Sequence, residues 1–151
     1  MSVVTQSTSG DTIKLPSGYT AYLFGFATSR WMQQVVFKVQ TTSGRDLDES
    51  KFQGLDGPMV VTSGGFKLGF LDQQTVVIPA DKIKTRHLEF IFSAYENQTL
   101  ATGKAEEMKG FQKDQYTSTV VPWVTNYIYR TEDGGDSDFS DTTFIVTLVK
   151  E

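Results

Sequence analysis

An antiparallel β-sandwich is the fold this 151-residue sequence predicts. Three observations carry the prediction. Hydrophobic residues recur with period two in six separate segments, the pattern of strands with one buried face. Turn-forming residues interrupt these runs at regular intervals. Aromatic residues are abundant (11 Phe, 6 Tyr and 2 Trp), and they pack well on a pleated surface. Many short strands with evenly spaced turns belong to all-β sandwiches or barrels.

The elements follow in chain order. Tyr19 to Ala27 is β-rich, with Tyr22, Phe24 and Phe26 on one face. From Gln34 to Gln40, Val35, Phe37 and Val39 alternate with Gln34, Lys38 and Gln40. Phe66, Leu68 and Phe70 alternate with Lys67 and Gly69. Leu88, Phe90, Phe92 and Ala94 alternate with His87, Glu89, Ile91 and Ser93. Trp123, Thr125, Tyr127 and Tyr129 form another row, and Thr142 to Lys150 ends the series with Phe144, Val146 and Leu148 on one face. Turn signals fall at Pro16-Ser17-Gly18, Thr42-Ser43-Gly44, Gly54 to Pro58, Ser63-Gly64-Gly65 and Pro79. Only Lys104 to Lys109 has a helical pattern, and it is short. The length reads as one domain over 1–151, enough to bury roughly 68–70% of the unfolded surface.

Composition narrows the function. There is no cysteine, hence no disulfide framework, thiolate zinc site or cysteine nucleophile. The single histidine, His87, lies opposite the Leu88, Phe90 and Phe92 face and gives a catalytic triad little support. Asn97-Gln98-Thr99 reads as an ordinary turn, and Gly64-Gly65 has no Lys-Ser/Thr to make a phosphate loop. A pI near 5.0 argues against nucleic acid as a partner. No apolar run approaches the ~20 residues of a membrane span. Met1 to Asp11 has no basic or apolar leader region, so the expectation is a cytoplasmic protein or one secreted by a non-classical route.

The densest chemistry lies in Glu132-Asp133-Gly134-Gly135-Asp136-Ser137-Asp138-Phe139-Ser140-Asp141. Five of the 18 acidic residues fall in this stretch, and without them 13 acids (18 less 5) would face 14 basic residues. The net negative charge therefore belongs to one loop. Crowded carboxylates repel and stay disordered unless neutralised. A hard divalent cation is the natural neutraliser, and calcium accepts six to eight oxygens in irregular geometry. The alternation of Asp136, Asp138 and Ser140 lets a curled loop aim its oxygens inward, and Gly134-Gly135 permits the bend that returns Glu132 and Asp133. The loop is not an EF-hand: counted from Asp136, position six is Asp141 instead of Gly and position twelve is Thr147 instead of Glu.

The run Glu-Asp-Gly-x-Asp-x-Asp-aromatic-x-Asp, followed by a final strand, resembles the two-calcium, fucose/mannose-binding bacterial lectins of the LecB type. Ile13-Lys-Leu-Pro-Ser-Gly-Tyr-Thr-Ala-Tyr-Leu-Phe-Gly-Phe-Ala27 is similar to that family's Leu-Pro turn and first long strand. The stretch from Thr41 to Thr119 does not align and stands as an insertion in the middle of a LecB-like sandwich. The resemblance implies one or two Ca²⁺ ions held by Glu132, Asp136, Asp138 and Asp141. Asp133 would contact the ligand, and two sugar hydroxyls would coordinate the metal directly, giving a non-enzymatic lectin that acts as a homodimer or tetramer. It further implies that the carboxylate of Glu151 completes the site of a neighbouring subunit.

This chain departs from that family at four points. Ser140 and Thr28 stand where the family has asparagine ligands, which leaves a one-ion site open. Glu151 replaces a terminal glycine. The positions that set sugar preference fall on Ser29, Arg30 and Trp31, where Trp31 either stacks on a sugar, closes the pocket or packs on the sheet. The same loop also suits a structural or adhesive β-module that calcium merely rigidifies. A metal-dependent hydrolase would use it with Mg²⁺ or Mn²⁺, although no isolated acid in an apolar setting suggests a glycosidase pair.

Overall fold

The computed structural model describes residues 2–6, 10–63, 74–95, 105–107, 110–118, 120, 123–132 and 141–151, with side chains except at 2–6, 30, 63 and 105–107. These residues form eleven strands: β1 Ser2–Gln6, β2 Gly10–Leu15, β3 Tyr19–Thr41, β4 Asp46–Pro58, β5 Val60–Ser63, β6 Val76–Ile78, β7 Arg86–Tyr95, β8 Ala105–Glu107, β9 Phe111–Ser118, β10 Val124–Thr131 and β11 Thr142–Lys150. All pairings are antiparallel. The main path runs β1-β9-β10-β11-β3-β4-β5, while β7 pairs with β2, β3 and β8, and β6 pairs with β3. No helix among the described residues is long and apolar enough to cross a membrane.

The long strand β3 organises the fold. Its 23 residues would reach about 75 Å if straight, several times the ~15 Å radius of gyration of a compact chain this long. It must therefore bend. The first half, Tyr19 to Ala27, pairs with β11, and the second half, Met32 to Thr41, pairs with β7. The sheet thus passes from one layer to the other along β3, and β4 pairs with it on both sides of the bend. The bend is a wide irregularity: between the Thr28–Asp56 and Gln33–Gly54 pairs, the four residues Ser29 to Met32 face Leu55 alone. Extra residues on one strand increase local twist and re-aim side chains.

Aromatic rings join the two layers. Phe144 of β11 lies 5.3 Å from Phe52 of β4 and 5.6 Å from Phe90 of β7, centroid to centroid. Phe92 stacks at 5.4–5.5 Å on Tyr129 and Phe111. These rings, with Leu15, Leu23, Val35, Phe37, Ile78, Leu88 and Val146, are buried. Offset and edge-to-face pairs at such spacing add to area burial. The chain leaves room for the rings: a Cβ on Gly25 would lie 2.8 Å from Phe144 Cδ1 and 3.0 Å from Met59 Sδ. Tyr129 is anchored at its polar end, its hydroxyl donating to Asp11 Oδ2 at 2.7 Å, and Lys113 Nζ pairs with the same oxygen at 2.8 Å. Burial first, then the Asp11 charge, raises the Tyr129 hydroxyl far above the usual tyrosine range.

Several expectations hold and several change. β7 and β11 alternate buried and half-buried as the period-two pattern requires, and His87 is half-buried on the face away from the core. Tyr22, Phe24 and Phe26 do share a face, but it is the outer one, since Ala21, Leu23, Gly25 and Ala27 point inward and Phe26 is exposed. Gly25 fits this inward row because a side chain there would collide with Phe144 of the adjacent strand β11 and with Met59. The two runs Tyr19–Ala27 and Gln34–Gln40 are halves of one strand, not separate strands. Gly54 to Pro58 is the end of β4 instead of a turn, and Gly57 relieves the local strain with φ 139°. The helical expectation at Lys104 to Lys109 fails where it is described: Ala105–Glu107 pairs with Ser93–Tyr95, and three residues have too few internal hydrogen bonds to resist an open sheet edge. The Phe66–Phe70 run, Gly64-Gly65 and Asn97-Gln98-Thr99 lie outside the described residues.

Candidate functional site

The hairpin β10–β11 builds the root of the acidic loop. Its last pair is Thr131↔Thr142, beyond which Asp141 N–H donates to Thr131 O at 3.1 Å. Glu132 and Asp141, the loop's first and last acids, stand where the strands part. Both are buried, at 1% and 8% exposure. Taking two carboxylates out of water at one point costs several kcal/mol unless they are paired, hydrogen-bonded or bound to a cation. Both have partners. Asp133, Asp136, Asp138 and Ser140 lie outside the described residues, as does the side chain of Arg30. Among the described residues no three acids or histidines form a metal-sized group.

The β3 irregularity meets this root. Thr28 N–H donates to Asp141 O at 3.0 Å, which ties the start of Ser29–Met32 to the loop's end. Thr28 is exposed and Ser29 half-buried, and both have partners. Ser29 Oγ accepts from Trp31 N–H at 3.1 Å, a local side-chain bond that holds the extra residues in a tight turn. Trp31 is half-buried and packs against the core cluster, so the indole has a sheet-packing role whatever else it does. Thus Thr28, Ser29, Trp31, Glu132 and Asp141 come together at one end of the sandwich.

Beneath them lies a polar layer that the sequence reading did not single out. Gln33 is buried on the core-facing row, two residues before Val35. Its Oε1 accepts from Thr142 Oγ1 at 2.8 Å and its Nε2 donates to Trp31 O at 3.2 Å. One side chain therefore links the irregularity to the hairpin. The Thr131 hydroxyl is buried beside them with no hydrogen-bond partner. A glutamine in phase with a valine and phenylalanine core row was the available signal. The two described acids offer hard carboxylate oxygens, the donor type that Ca²⁺ takes.

Glu151 is elsewhere. Its N–H donates to Gly18 O at 2.8 Å, at the opposite end of β11. The nine residues of that strand put its main chain on the order of 30 Å from Asp141. Within one chain Glu151 and the described root of the loop, Glu132 and Asp141, therefore lie at opposite ends of β11.

Neither a protein-family profile nor a curated protein sequence matches the chain. Solved structures do. The C-terminal domain of the BC2L-C lectin from Burkholderia cenocepacia superposes with a TM-score of 0.50 at 13% identity, over 95% of this chain and 97% of that one. The high-affinity mannose-binding lectin of Ralstonia solanacearum gives 0.47 at 12% identity, over 90% and 93%. Chromobacterium violaceum lectin CV2L, in complex with α-methyl-fucoside, gives 0.47 at 16%, over 93% and 95%. The chain has the all-β, curled antiparallel fold of the first of these domains, matched over 95% of its length.

Proposed function

We propose that this protein is a non-enzymatic lectin whose Glu132–Asp141 loop holds one or two Ca²⁺ ions and presents them to sugar hydroxyls. The observation that carries the reading is the pair of buried carboxylates, Glu132 and Asp141, at the root of a loop with three further aspartates. The fold shared with a lectin domain supports it. So does the LecB-type spacing of the loop, which also favours a fucose- or mannose-type ligand. Bound calcium would supply a Lewis-acidic seat for two neighbouring hydroxyls, neutral oxygens able to replace metal-bound water.

The residues of this chain have distinct tasks. Glu132, Asp136, Asp138 and Asp141 neutralise the metal, with Ser140 and Thr28 as shorter-reaching hydroxyl ligands. Asp133 accepts from sugar hydroxyls. Ser29, Arg30 and Trp31 form the rim, positioned by Gln33 and the Thr28–Asp141 bond. Isothermal calorimetry with fucose, mannose and a broad glycan panel is the test. Heat is expected in saturating Ca²⁺ and none after chelation. Absence of heat from every sugar, together with a chelator-sensitive melting temperature, would replace the lectin with a calcium-stiffened structural module.

The separation along β11, on the order of 30 Å, bears on the assembly this reading requires. If Glu151 ligates calcium, it does so in a second copy, so the functional unit is a homodimer or a tetramer of such pairs. A short C-terminal extension removes the free carboxylate from that position while leaving the sandwich untouched. Calcium affinity should fall about tenfold or more, the worth of one lost charged ligand. Unchanged affinity would leave the site complete within each chain.

A further inference from the structure

The end of the sandwich away from the acidic loop carries a pocket of the opposite charge. It measures about 500 Å³ and is lined by Thr41, Thr42, Arg45, Leu47, Asp81, Lys84, Thr85 and Arg86, within the size range of small-molecule sites. Its floor is made by register: Thr41 at the end of β3 and Leu15 at the end of β2 flank Arg86 at the start of β7.

Three cations converge there, and none is in an ion pair. The ion pairs among the described residues join Lys38 to Asp46, Lys113 to Asp11 and Arg130 to Asp114. Asp81, the one carboxylate in the lining, forms no ion pair with them and has Oδ1 engaged by the backbone. Its Oδ1 accepts from Ile83 N–H at 2.9 Å and Lys84 N–H at 2.8 Å, bonds that hold it below the usual carboxylate range. Arg86 is the telling residue. It is only 7% exposed, its Nη2 donates to Pro79 O at 2.9 Å, and its Nε is buried with no acceptor. A buried guanidinium with an unfilled donor and no carboxylate partner is costly. Desolvation accordingly lowers its proton affinity, a shift that Asp81 only partly offsets.

We propose that this pocket binds an oxyanion-bearing small molecule, its carboxylate, sulfate or phosphate group seated on Arg86 and flanked by Arg45 and Lys84. Guanidinium groups match such oxyanions through N–H donors, and a charge-assisted bond to the pocket-facing edge of Arg86 would offset the cost of its buried, carboxylate-free charge. Thr85 Oγ1 accepts a 3.3 Å bond from Ser17 N–H and keeps its own O–H free to donate. Leu47, half exposed, offers an apolar wall, so the ligand carries a body beyond the bare ion. The site is independent of the calcium loop, and its test does not depend on sugar binding.

Titration of the intact protein with sodium sulfate and, separately, sodium acetate, each against sodium chloride at equal ionic strength, tests it. A saturable rise in melting temperature is expected, with backbone amide NMR shifts confined to 41–47 and 81–86. The preferred anion distinguishes a tetrahedral from a planar ligand. The double variant Arg45→Ala/Lys84→Ala changes exposed side chains only, so its melting temperature in chloride should match the wild type while anion affinity drops at least tenfold. Arg86→Gln should abolish binding. If that variant does not fold, the exposed double variant decides. No saturable effect over chloride, shifts that map elsewhere, or full affinity retained in the double variant would each overturn the proposal.

Discussion

Asp138→Ala should lose both calcium stabilisation and sugar binding. At a calcium concentration 100-fold above the dissociation constant, the wild type gains about 2.7 kcal/mol. For a chain of this size that is a melting shift on the order of 5–10 °C. The variant should show almost none of it, and no sugar heat. The sign reverses in chelator. There the crowded aspartates of the loop repel one another, so removing Asp138 leaves the variant at least as stable as the wild type. Differential scanning calorimetry in both conditions reads the two effects separately. Equal calcium stabilisation in variant and wild type would remove Asp138 from the metal site. A loss of stability in chelator would give it an ordinary structural role.

Phe144→Ala should cost about 3–5 kcal/mol, a large share of the ~5–15 kcal/mol that holds a domain together. Phe144 is fully buried and touches rings from both β4 and β7 while belonging to β11 itself. Its loss opens a cavity at the junction of the two layers. Collapse into that cavity is hindered, because β3 already approaches closely there through Gly25. Urea unfolding followed by tryptophan fluorescence gives the number, with an unchanged slope marking a true stability effect. A cost below about 1 kcal/mol would mean that the layers are joined elsewhere.

Local alternation made much of the fold legible. In β7 the row Leu88, Phe90, Phe92 and Ala94 is buried in full, and in β11 Phe144, Val146 and Leu148 follow the same rule. A strand's pleat obliges alternate residues to opposite faces, so the pattern needs no knowledge of the partners. Which face is inward is a different question. For Tyr22, Phe24 and Phe26 the rings lie outward, while Ala21, Leu23, Gly25 and Ala27 take the core side, where Phe144 of β11 and Met59 leave Gly25 no room for a side chain. Nor does local pattern reveal that Tyr19–Ala27 and Gln34–Gln40 are one strand, since Ser29 to Met32 interrupts the period.

The candidate site divides the same way. The sequence by itself determined the chemistry: the acidic loop, its carboxylate spacing and its departure from an EF-hand are properties of neighbours in the chain. Only the tertiary structure decided the context. It buried Glu132 and Asp141 at the mouth of a hairpin, brought the Thr28–Trp31 segment beside them across more than 100 residues, and set Gln33 beneath as a link. It also put Glu151 at the far end of β11 and gathered Arg45, Lys84 and Arg86 around one pocket. The reason is physical. Residue type and short-range spacing set what a segment can bind, whereas burial and convergence depend on strand pairings between positions far apart in the chain, which no local pattern encodes.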